Sequence, residues 1–238
     1  MPDEVKSDEV KSGEVNSGEV KSGEVTSGEV ARPTRRSESA LRTRRSIADA
    51  AGELFVRDGY AATTIAAIAD QAGVAVQTVY AVFGNKPTLM AAVIDRSIAG
   101  DDAPVVVNAR DWMRDVWEAP TAADRLRAYA SAVRRIMEGA AEVLVALDRA
   151  AAVDPELEAL ATTTEERRRA GATAVIESVR SVAPLRAGLR PSDAVDMLWL
   201  LNSPMVFHHL THRAGWSPQR YERWLAGSLV RELLDLTT

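Results

Sequence analysis

The chain has 238 residues, 46% of them hydrophobic and only 5% aromatic, with a formal net charge of −5. That is enough apolar material for a sizeable core in one or two domains, and the scarcity of aromatics favours helices over sheets. There is no cysteine, which excludes disulfides and thiolate metal sites, and no apolar run approaches the ~20 residues of a membrane span. An acidic, polar N-terminus unlike a secretory signal adds the expectation of a soluble, cytoplasmic protein.

The charge is unevenly spread. Residues 1–31 carry three lysines against eight acids, residues 32–98 nine basic against six acidic side chains, and residues 99–238 seventeen against twenty. Only the second region is net positive, and a local patch governs attraction to a polyanion more than the total does.

From Glu4 to Val30 the chain is a five-residue repeat, Glu-Val-Lys-Ser-Asp and then close variants with Ser-Gly. A period of five fits neither helix nor strand, and one valine per unit cannot offset the entropy of ordering. Residues 1–31 are therefore expected to be a disordered acidic tail, either simply solvated or competing with phosphate for nearby arginines. A basic arm follows at 32–38 with Arg32, Arg35 and Arg36, and Arg42, Arg44 and Arg45 are expected in the first turns of the next helix. Cations there oppose the helix dipole, so their clustering points to an external anion, and phosphate is the natural one. Ile47, Ala50, Ala51, Leu54 and Phe55 supply that helix's apolar face up to Asp58-Gly59.

Residues 64–83 read as two short helices joined by a tight turn. Thr63 or Thr64 can cap the first, Ile65, Ile68 and Ala69 form its stripe, Gly73 ends it, and Val74, Val79 and Val82 supply the second apolar face. This is a helix-turn-helix, whose second helix enters the DNA major groove. On that helix Gln77 sits in the first turn, where a glutamine can pair with adenine N6 and N7, or it is an ordinary exposed residue. Val76 is open between base contact and packing, and Thr78 and Tyr80 suit phosphates. Asn85 caps a fourth helix, with Lys86 and Pro87 in its first turn and Leu89, Met90, Val93, Ile94 and Ile98 along one face.

Gly59-Tyr60, Thr64-Ile65, Ile68-Ala69, Ala72-Gly73-Val74, Thr78-Val79-Tyr80, Phe83, Asn85-Lys86 and Leu89 together resemble the signature of TetR-type transcriptional regulators, over residues 39–99. The resemblance implies an all-α protein: a three-helix DNA-binding head, then a helical regulatory and dimerisation domain over 100–238. It implies phosphate contacts from Tyr80 and Lys86; with the residues singled out above, the expected DNA-contact set is Arg42, Arg44, Arg45, Thr64, Gln77, Thr78, Tyr80 and Lys86. Two positions depart from the family: Ala75 where Ser or Thr often caps the helix, and Val82 where Tyr or His commonly meets a phosphate.

Beyond a linker at 101–104, Thr121 with Asp124 resembles a capping box opening a helix with Leu126, Ala130, Val133, Met137, Leu144 and Leu147 on one side. Asp154-Pro155 caps the next helix, whose run Glu165, Glu166, Arg167, Arg168, Arg169 reads as a solvated face. Two more helices are expected: 192 to about 211, with Ser192 at its cap and Pro204 inside, and another to about 236 capped by Ser217. Their apolar character, with the resemblance, implies a homodimer through about 192–236.

All five tryptophans and all three histidines lie in this second part. Trp112, Trp117, Met137, Trp199, Asn202, Met205 and His208 offer an apolar lining with a few polar groups, the makeup of a ligand pocket or simply of a core. The pocket and its small-molecule effector are implied by the resemblance. His208 and His212 share a helix face as metal pairs do, but no carboxylate or cysteine nearby in the sequence completes a site, so they read as structural or interface histidines. No catalytic constellation, cofactor motif or metal site is expected. The composite expectation is a homodimeric repressor on a palindromic DNA operator, released by an effector. The alternatives are a dimeric DNA-binding protein without an effector, and an all-α enzyme or carrier.

Overall fold

The computed structural model describes residues 35–100 and 107–235. The acidic tail, Arg32 and the linker at 101–104 lie outside the described residues. The elements are α1 (Arg35–Arg57), α2 (Ile65–Ala72), α3 (Val76–Phe83), α4 (Lys86–Ala99), two short 3₁₀ turns, α5 (Arg114–Glu118), α6 (Ala122–Ala151), α7 (Pro155–Arg180), α8 (Pro191–Leu201), α9 (Pro204–His208) and α10 (Pro218–Leu233). A π turn, His209–Arg213, continues α9. The protein is all-α, with no strand among the described residues.

The boundaries follow from local chemistry. Thr64 caps α2 by accepting from the Ala67 N–H at 3.1 Å, while Thr63 is buried and its hydroxyl donates to the Gly59 and Leu54 carbonyls. Gly73 ends α2 at φ +67°, a left-handed conformation that costs a Cβ-bearing residue energy, and α3 then leaves at 104° to α2. Asn85, Thr121, Asp154 and Ser217 each accept a first-turn N–H of the helix they precede.

Two apolar clusters share α6. One joins Ile47, Leu54 and Phe55 of α1, Ile68 of α2, Val79 and Phe83 of α3 and Leu89, Met90 and Val93 of α4, and continues into Ala140, Val143, Leu144 and Leu147 of α6. The other packs the first half of α6, from Leu126 to Met137, against Val175, Ile176 and Val179 of α7, Leu198 of α8, Phe207 of α9 and Tyr221, Leu225 and Leu229 of α10. The 30-residue α6 is about 45 Å long and is the spine of both. At Gly139 it approaches α4 so closely that an added Cβ would lie 3.1 Å from the Ser97 carbonyl oxygen.

Four expectations are corrected. α1 begins at Arg35, so Arg42, Arg44 and Arg45 lie about two turns inside it, where the dipole field that acts over a terminal turn no longer opposes them. The expected helix over 192–211 is broken: Pro204 has no N–H to give and would crowd the preceding turn, so α8 stops at Leu201 and Ser203 caps α9. Ser192 is not the cap of α8; Pro191 takes the first helical position, which moves the cap back to Arg190. The charge run on α7 is not wholly solvated, because the Arg168 side chain is only 13% exposed and turns inward.

Candidate nucleic-acid interface and internal cavity

α3 presents its apolar side, Val79 and Phe83, to the head core and leaves Gln77 and Tyr80 exposed, with Thr78 half-buried. Val76 and Val82 are partly buried against that core. Ala75 precedes α3 without a side-chain cap, as its chemistry dictates. Arg42, Arg44 and Arg45 are exposed on α1. Arg44 turns back: its guanidinium lies 4.5 Å from the Phe83 ring centroid and donates to the Val82 carbonyl at 3.4 Å, tying α1 to the end of α3. Arg42 and Arg45 border a shallow cleft between α1 and α2 that also holds Asp49, Glu53 and Gln71. Thr64 is exposed at the start of α2. The Lys86 ammonium sits 4.0 Å from the Tyr60 ring centroid, and partial burial lowers its pKa from the ordinary lysine value. Gln77 and Tyr80 on α3, Arg42 on α1 and Thr64 at the start of α2 are exposed polar groups of the head, while Arg44 and Lys86 also anchor it internally.

Behind the head lies a cavity of about 720 Å³ bounded by α4, α6 and α7, with Val107, Asn108 and Met113 at one end. Ile94, Ile98, Val133, Ile136, Met137 and Val175 make it mainly apolar. Its polar groups converge at one wall. Asn202 donates to the Tyr129 hydroxyl and accepts from Arg168 at 2.6 Å, and Arg168 also pairs with Glu165 and donates to the Trp199 carbonyl. Burial raises the Tyr129 pKa to about 12, so its hydroxyl stays a neutral donor and acceptor. Arg167 reaches Asp95 of α4 at 3.4 Å, beside the same cavity.

Of the sequence-selected pocket residues, Met137 and Asn202 line this cavity. Trp199 and Met205 line a separate groove of about 300 Å³ between α6, α7 and the α8–α9 junction. Trp112 and Trp117 pack on the body core, Trp117 donating to the Asn108 carbonyl at 3.1 Å. His208 stacks on His212, and burial first, then that neighbour, depress its pKa. Tyr129 and Arg168 were missed. Arg168 was absorbed into a charge run, and Tyr129 lies one residue before Ala130 on the same apolar stripe, where nothing in the sequence marks it.

Residues 47–93 match the family model of bacterial regulatory proteins, tetR family. That segment is of the TetR type. No curated protein shows a significant sequence match to it. Beyond that segment the fold is similar to that of solved structures covering most of the chain. NalD of Pseudomonas aeruginosa, the secondary repressor of the MexAB-OprM multidrug efflux pump, is 21% identical with a TM-score of 0.61, over 83% of this chain and 99% of its own. FadR of Bacillus subtilis, in complex with stearoyl-CoA, is 20% identical with a TM-score of 0.62, over 78% and 97%. SmeT, in complex with triclosan, is 19% identical with a TM-score of 0.62, over 82% and 93%. The TetR-type head occupies the segment in which the positive charge is concentrated, and no single helix among the described residues is long and apolar enough to cross a membrane.

Proposed function

We propose that this TetR-family regulator is a cytoplasmic repressor that occupies a palindromic operator as a homodimer and is released by a small molecule bound in the 720 Å³ cavity. One recognition helix spans too few base pairs for a specific site, which favours two-fold pairing and half-sites about one helical turn, or a multiple, apart. The partly buried apolar residues of α8 and α10, Met197, Leu201, Trp224 and Val230 among them, are suited to the pairing surface. In this reading residues 39–99 act as the head and residues 100–238 as the regulatory and dimerisation body.

The observation that carries the effector reading is the double use of α4. Leu89, Met90 and Val93 hold the head core, while Ile94, Asp95 and Ile98 face the cavity. A ligand that wedges α4 away from α7 therefore acts on the element to which α1 and α3 are packed. It shifts the head only if it binds the spread state better than the DNA-competent one. The neighbours solved with stearoyl-CoA and triclosan support a largely apolar ligand. The Tyr129–Asn202–Arg168 wall adds a place for one polar or anionic group. Regulation rather than catalysis is the reading these residues favour.

The test is ligand-dependent release of a selected operator, repeated with Gly171→Leu. Gly171 lines the cavity and an added Cβ there meets nothing within 4 Å, so the leucine should fill space without strain. Operator affinity is expected to persist and the ligand response to vanish. A ligand response unchanged in Gly171→Leu contradicts this site.

A further inference from the structure

His208 and His212 lie four residues apart across the junction of α9 and the π turn, with ring centroids 4.6 Å apart and planes inclined by 16°. Sequence offers them no carboxylate close by, but the fold does. Glu142, on α6, places its Oε1 2.7 Å from Nε2 of His212. One ligand-type atom from each of the three residues lies within 4.8 Å of the others. Among the described residues this is the one place where three such side chains converge.

Two further observations separate this cluster from a plain ion pair. The Nδ1 of His212 is 3.0 Å from the Thr211 hydroxyl, which fixes the ring and directs Nε2 at Glu142, the outer-shell arrangement that orients metal-binding imidazoles. The Nδ1 of His208 is buried and has no hydrogen-bond partner among the described residues, so the second ring is brought to the carboxylate without an internal anchor of its own. An ion pair needs one imidazole, whereas two converge here.

We propose that Glu142, His208 and His212 form a binding site for a divalent transition metal, zinc in class, with one carboxylate oxygen and one nitrogen from each imidazole as protein ligands. Two imidazoles and a carboxylate suit zinc and its borderline neighbours and disfavour magnesium and calcium, which take all-oxygen sets. Zinc bonds of about 2.0–2.1 Å hold tetrahedral ligand atoms roughly 3.3 Å apart, so the cluster must contract and the two rings must turn out of their near-parallel stack to aim both lone pairs at one ion. The side chains of Glu142 and His212 are 47% and 43% exposed and can make that adjustment by rotation. Three protein ligands leave the fourth position to water. The ion would clip α6, the spine of both cores, to the turn after α9. The clip borders a crevice of about 720 Å³ that α1 and α4 close from the other side through Asp49, Glu53 and Arg96.

The experiment uses the full-length, untagged protein stripped with a chelator and then titrated calorimetrically with zinc, with magnesium as the control. One zinc per chain and no magnesium is expected. His208→Gln/His212→Gln should abolish saturable zinc binding, while its melting temperature in chelator should match the parent's. Thr211→Val leaves all three ligands in place and should weaken zinc binding by about 10–100-fold. Cobalt added to the unaltered protein should give the absorption of a tetrahedral nitrogen–oxygen site, a readout that needs no substitution. Absence of saturable zinc binding by the parent, or retention of one zinc per chain by the double variant, overturns the proposal.

Discussion

Gln77 is the exposed amide on α3, and it occupies the first turn, the part of a recognition helix that meets base edges. Its neighbours divide the remaining work. Val76 is partly packed on the head core, Thr78 is half-buried, and the Tyr80 side chain is exposed. Gln77→Ala is therefore expected to cost about 1–3 kcal/mol of operator binding, confined to one base pair in each half-site. Affinities for a set of single-base operator variants check this, and a uniform loss across the set would assign Gln77 to the backbone instead. A second residue-scale prediction concerns the cap of α6. Asp124 accepts from Thr121 and Arg127, and those contacts, the Thr121 hydrogen bond first, hold its pKa below the ordinary 3.8. A depressed carboxylate stabilises the fold above its unfolded value, and that contribution is lost as pH falls through the lowered folded value. Melting curves at acid pH should show Asp124→Asn losing less stability than the parent over that window; equal slopes contradict the assignment.

At the scale of elements, the crossing of α4 and α6 sets the distance between the DNA-binding head and the body. Gly139 permits it, and the atom opposing it is a helix backbone oxygen that cannot rotate away. Gly139→Ala should destabilise by about 1–3 kcal/mol through overpacking, despite alanine's better helix propensity, as measured by chemical denaturation. A neutral or stabilising outcome would show that the two helices separate freely. The elements themselves were largely legible beforehand, because the caps at Thr64, Asn85, Thr121, Asp154 and Ser217 are local chemistry and the stripes of α1, α4 and α6 keep helical spacing. Pro204 was visible too, but whether a proline kinks a helix or ends it depends on the residue that can cap the restart, here Ser203. What could not be read were pairings between distant residues: Arg168 with Asn202, Arg44 with Phe83, and Glu142 with His212. Each joins two helices whose relative placement follows from packing rather than from either segment alone. The cavity was hidden for a related reason, since small residues such as Ala132, Ala170 and Gly171 make it by what they fail to fill.

For the whole molecule, charge and architecture agree. An acidic chain of net charge −5 concentrates its positive region around the recognition helix, and a single long helix joins that head to a body with room for a ligand. Phosphate contacts from the arginines of α1 would supply sequence-independent affinity, and α3 would supply the discrimination. With few polar groups on α3, the proposed pairing of two half-sites would supply much of the specificity. The most direct measurement is selection from random duplex DNA by the purified protein at moderate salt, followed by sequencing of the enriched pool. The account predicts an inverted repeat whose half-sites lie about one helical turn, or a multiple, apart, bound by two chains. Failure to enrich any sequence, or enrichment of an isolated half-site bound by a single chain, would contradict it.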